Sequence, residues 1–148
     1  MDTAGQEDYA AIRDNYLRNG EGYLCVYSVC ERESFVGLRE FKTQILRVKE
    51  RIELNEIPFV LVANKIDMDD SREVTEEEGR ALADEWQVPY IETSAKTNNN
   101  VDTSFIQLVR QVHLLKKEAM NKARENSLTI TKKYKRKHKF KTMKCVIS

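Results

Sequence analysis

No stretch of this 148-residue sequence is apolar for long enough to cross a bilayer as a helix. The longest runs, YLCVYSV (Tyr23–Val29) and IPFVLVA (Ile57–Ala63), have seven residues each, against roughly 20 for a spanning helix. The chain does not open with a basic segment followed by an apolar one, so a secretory signal is not expected. Cysteine is scarce. Cys25, Cys30 and Cys145 have neither metal-ligand nor paired spacing, and a reducing cytosol is the simplest compartment for them. Also absent are an RNA-binding motif with its stacking platform and a glycine-rich phosphate loop ending in Lys and Ser or Thr.

What is present suits one soluble globular domain: 41% hydrophobic and 33% charged residues. The net charge of +1 hides an asymmetry. Eight basic residues lie between Lys132 and Lys144, and no acid follows Glu125, so the remainder carries −7. An acidic body with a basic tail directs only the tail toward an anionic surface.

Hydrophobic spacing gives the order of elements. YLCVYSV reads as a buried strand. From Ser34 to Ile52 the residues Phe35, Leu38, Phe41, Ile45, Val48 and Ile52 line one face of a helix. PFVLVA, without alternation, predicts a strand covered on both faces. Thr75 and Glu78 form a capping box that opens a helix to about Gln87. PYIET is a third short strand. Val101, Phe105, Leu108, Val109 and Val112 mark a last helix to about Lys122, followed by a flexible tail with little to bury. Strands alternating with helices imply an α/β fold, a doubly wound, mostly parallel sheet with helices on both faces. Ligands of such sheets bind beyond the carboxyl ends of the strands. DTAGQE, NKID and SAK are all placed there.

Each of these stretches has a chemistry and an ordinary reading. In NKID, the Asp67 carboxylate can accept from guanine N1–H and the 2-amino group. Adenine offers neither donor, and a buried polar group left unpaired costs roughly 1–3 kcal/mol. Lys65 can lay its methylenes along the base, and Asn64 can tie loops together. In TSAK, the Ala95 N–H can reach the base oxygen while Ser94 and Lys96 shape the loop. Alone, NKID is an ordinary polar turn and SAK a chance triplet; in order, at successive strand ends, they specify guanine. In DTAGQE, Asp2 can hold a water on Mg²⁺, Gly5 can present its N–H to a γ-phosphate where a side chain would clash, and Gln6 can orient an attacking water. The plainer reading there is a strand-to-turn junction containing a glycine.

The C-terminal KCVIS fits a prenylation box on Cys145, with terminal Ser favouring farnesyl. One lipid chain anchors marginally, and the adjoining KKYKRKHKFK is the usual second signal. Nuclear import and nucleic-acid binding are the competing readings of that basic run. His113 reads as an ordinary helix residue, Trp86 as core and Cys25 as a small buried hydrophobe.

The three motifs resemble those of the Ras superfamily of small GTPases, and DYAAIRDNYLRNGEGYLCVYSV resembles its Ral branch; the likeness runs from Asp2 to about Val112. The resemblance implies a six-stranded doubly wound P-loop NTPase fold, of which this chain would supply the C-terminal portion. Residues 1–122 would be a truncated GTPase domain and 123–148 a polybasic tail. It also implies a GTP/GDP switch using Mg²⁺, served by exchange factors, GTPase-activating proteins and effectors. Gln6 would act in catalysis and Gly5 would meet the γ-phosphate, while Asn64, Lys65, Asp67, Ser94, Ala95 and Lys96 would read guanine. Asp2–Arg18 would be the second switch, and Cys145 would carry the lipid.

The expected setting is the cytoplasmic face of the plasma membrane, as a lipid-anchored monomer that binds no nucleic acid. The sequence departs from the branch in ending on Ser148 rather than Leu, and in the charged KERIELNE before Pro58. It also lacks the phosphate loop and the first switch, which would precede Met1 together with three strands. YLCVYSV would then have an open apolar edge. The expectation is weak binding and slow hydrolysis of GTP by this chain, the alternative being a non-catalytic, membrane-tethered fragment that acts through protein partners.

Overall fold

The computed structural model describes residues 10–142. The candidate residues Asp2, Gly5, Gln6 and Cys145 lie outside them, as do residues 2–9 of the expected switch. The order is α1 (Ala10–Asn19), β1 (Tyr23–Ser28), α2 (Arg32–Lys49), β2 (Phe59–Asn64), α3 (Glu76–Trp86), β3 (Tyr90–Glu92) and α4 (Val101–Thr142). The strands form a parallel sheet in the order β1-β2-β3. Tyr23 pairs with Phe59, and Leu61 with Tyr90.

Alternation along the strands sorts the core. Tyr27, Phe59, Leu61 and Ala63 share one sheet face. They pack with Leu38, Ile45 and Val48 of α2, with Leu82, Ala83 and Trp86 of α3, and with Leu17 of α1. Phe59 meets Trp86 edge-on, centroids 6.1 Å apart. Val60 and Val62, on the other face, are also buried, so β2 is covered on both sides. Cys25 is half-buried against the core, and burial pushes its thiol up to about 12. Among the described residues β1 has β2 as its only partner, and Val26 at this edge is 49% exposed.

Helix ends explain where sequence expectation and structure part. α3 starts as expected: Thr75 Oγ1 accepts from Glu78 N–H at 3.2 Å, and Glu78 Oε2 accepts from Thr75 N–H at 2.9 Å. α2 starts at Arg32 and stops at Lys49, earlier than the spacing implies. Glu50 takes a left-handed conformation with φ 54°, and Arg51 N–H donates to Leu46 carbonyl. Ile52, expected on the buried face, therefore falls beyond the helix and is 90% exposed.

The chain divides into two compact units after Val112. In the second unit α4 continues to Thr142, past the expected end near Lys122. No Gly or Pro occurs between His113 and Thr142 to stop it, and its Lys, Arg, Glu, Leu and Met residues favour helix. In that unit His113, Leu114, Met120 and Leu128 are exposed.

Candidate functional site

The site is built where β2 and β3 end side by side. β2 delivers Asn64, and Lys65 immediately takes a left-handed φ of 72°, a costly conformation for a side chain with a Cβ. Ile66 N–H then donates to Thr93 carbonyl at 3.3 Å, tying the turn to the residue after β3. On the β3 side, Ser94 and Asn99 exchange backbone hydrogen bonds of 3.1 and 3.0 Å, closing the SAKTNN loop. Asn98 and Asn100 occupy left-handed positions in this connection, with φ near 55°, which asparagine tolerates.

Side chains lace the two loops together. Asn64 Oδ1 accepts from Thr93 Oγ1 and from Ala95 N–H, both at 3.1 Å. Fully buried Ser94 donates its hydroxyl to Asp67 Oδ1 at 2.6 Å and accepts from Thr97 N–H at 3.2 Å. The Ser94 hydrogen bond, helped by the nearby Lys96 charge, holds the Asp67 carboxyl below the usual carboxylate range. Asp67 is thus an exposed, ionised acceptor at a fixed position, with lone pairs left for a ligand.

Lys65 Nζ lies 2.7 Å from Glu31 Oε1, and that carboxylate raises the lysine's pKa. The ammonium is held to one side, so its methylene stem is free to lie along a planar ring.

Sequence reasoning placed Asn64, Lys65, Asp67, Ser94, Ala95 and Lys96 in one site, and the fold brings the loops that carry them together. Two details differ in emphasis. The Ala95 N–H, expected to meet a base oxygen, donates to Asn64. Glu31 and Thr93 were assigned no part. Glu31 comes from the β1–α2 connection and is recognisable only once the fold brings it to Lys65. Thr93 stands inside the quoted TSAK, where its hydroxyl could have been read as a loop tie. Among the described residues no cluster of His, Cys, Asp and Glu can hold a metal. The residue assigned to Mg²⁺, Asp2, lies outside them.

The Ras family profile matches residues 1–114. The chain is 58% identical over 122 residues to the Ras-related protein O-RAL of Diplobatis ommata, covering 82% of this chain and 58% of that protein. It is 55% identical over 118 residues to the Ras-related protein Ral-a of Drosophila melanogaster, covering 80% and 57%. With the Ras-related protein ralB-B of Xenopus laevis it shares 50% over 147 residues, covering 99% and 68%. The chain spans less than three fifths of the length of the first two. A match across most of the chain, with the paired loops in place at successive strand ends, means that this protein belongs to the Ras family.

Proposed function

We propose that this chain carries the guanine-reading half of a Ral-like GTP/GDP switch that works in signal transduction. The observation supporting this most directly is the Asp67–Ser94 and Asn64–Ala95 lacing. It presents an ionised carboxylate and a backbone donor on neighbouring loops, the pair that guanine's N1–H, 2-amino group and base oxygen require. Guanine is selected because adenine would leave the carboxylate without donors.

In the complete switch, Gln6 orients the water that attacks the γ-phosphate and Gly5 donates its N–H to that phosphate. Asp2 is the residue that would hold Mg²⁺, through a water, and the ion neutralises phosphate charge when bound. Exchange factors, GTPase-activating proteins and effectors are the expected partners of a monomer. Cys145 carries a prenyl group and the basic run Lys132–Lys144 meets anionic lipid, each charge contributing roughly 1 kcal/mol, at the cytoplasmic face of the plasma membrane.

The 148 residues themselves contain no phosphate loop. Such a cradle gives several charge-assisted hydrogen bonds of roughly 1.5–3 kcal/mol each; without about four of them, affinity falls by at least four decades. This chain therefore binds GTP weakly and hydrolyses it slowly.

Base reading is tested without phosphates. In an amide NMR titration, guanosine should shift the signals of residues 64–67 and 94–97, and adenosine should not; an equal response to both refutes it. For the anchor, Cys145→Ser should release the protein to the cytosol, and unchanged membrane residence refutes the lipid assignment.

A further inference from the structure

The guanine loop leaves β2 at Asn64 and must be fastened again before α3. Its first end is tied by Asn64 to Thr93 and Ala95. Its last end is fastened by a residue that base chemistry does not use. Arg72 Nη1 donates to Glu92 Oε1 at 3.0 Å and to Val74 carbonyl at 3.3 Å, while Nε donates to Asp69 Oδ1 at 3.1 Å. Glu92 Oε1 also accepts from the Tyr90 hydroxyl at 3.0 Å, which in turn lies 3.4 Å from that of Tyr27.

The pair is withdrawn from water. Its side chains are 17% and 20% exposed, whereas Arg39–Glu85 is 63% and 50% exposed. Salt and solvent screen it less, and the tyrosine hydroxyls fix the carboxylate. Gly79 makes room for this arrangement, because a Cβ there would come within 2.6 Å of the Tyr90 hydroxyl oxygen and closer still to that of Tyr27.

Position turns the pair into a lever. Glu92 is the last residue of β3, two before Ser94 and three before Ala95. The segment after Arg72 is docked from the opposite side, since Glu73 and Val74 N–H both donate to Val29 carbonyl, at 2.8 and 3.0 Å. Loop residues 65–71 are therefore pinned at both ends to the β3 exit.

We propose that Arg72 and Glu92 are positioning residues for base recognition, a clasp that sets the spacing between the Asp67 loop and the Ala95 loop so that both face one base. This rests on the guanine reading above. An ion pair serving stability alone would weaken the whole sheet when removed. A clasp would loosen the two loops first.

Amide hydrogen exchange on the full chain without nucleotide separates these. In Glu92→Gln, which keeps shape and loses charge, the Met68, Ala95 and Thr97 amides should exchange at least about tenfold faster. The Tyr23 and Leu61 amides, bonded to Pro58 and Pro89 carbonyls within the sheet, should keep the parent's rates. Arg72→Met should reproduce the pattern, and Arg72→Lys should partly restore it. Acceleration of all five amides by one factor, or of none, overturns the proposal. Because no ligand is used, this outcome stands whether or not guanosine binds; an absent guanosine response in the parent would count against the functional reading alone.

Discussion

Asp67 shows how one hydroxyl fixes a site. Its carboxyl titrates below the usual range because Ser94 donates to it. The folded value lies below the unfolded one, so the contribution of this contact is fully present above the ordinary carboxylate range. It is lost only as pH falls through the depressed folded value. Ser94→Ala should move the Asp67 midpoint upward in a carboxyl NMR titration, and an unmoved midpoint would mean that the hydroxyl is not the cause.

Cys25 and Tyr23 act in the opposite direction. Burial pushes both up to about 12, from ordinary values of 9.0 and 10.0. Their neutral forms favour the fold at neutral pH, and that stability drains away as pH rises from about 9 to 12. Thermal melts should accordingly lose stability steadily across that alkaline window. A flat profile would contradict burial of these groups.

At the scale of elements, helix termini decide what was legible in the sequence. The Thr75–Glu78 box could be read because both partners of the cap are local in sequence. The end of α3 near the left-handed Gln87 was read as well, but the end of α2 was not. Its left-handed cap is Glu50 rather than glycine, so spacing alone carried the expected helix on to Ile52. α1 was not anticipated, because Leu17 is the one residue described as buried on it and gives little periodic signal.

Of the candidate site, the residue types proposed to read a base were legible, since their identities carry the chemistry. The tertiary pairings, Glu31 with Lys65 and Glu92 with Arg72, join distant segments and were not. Two substitutions follow. Gln87→Gly, relieving the left-handed strain, should raise stability by about 0.5–1 kcal/mol in urea unfolding. Gly79→Ala should do the reverse of its helix propensity, lowering stability by about 1–3 kcal/mol because the methyl collides with the Tyr27 and Tyr90 hydroxyls. A stabilised Gly79→Ala would contradict the packing described at that contact.

For the whole molecule, the sheet is well buried at its centre and open at its β1 side among the described residues. Phe59 lies fully buried between strands and α3. Phe59→Ala should lower stability by about 3–5 kcal/mol, enough to unfold a marginal domain. Val26 is half exposed on β1, whose only partner among the described residues is β2.

The same division of labour governs ligand binding. In the proposed reading the loops after β2 and β3 hold a base, and the 148 residues include no phosphate-loop motif. The decisive measurement is the dissociation constant of GDP against that of guanosine for the purified chain with Mg²⁺. The account predicts that the two phosphates improve binding by no more than about tenfold. Submicromolar GDP binding, decades tighter than guanosine, would contradict it.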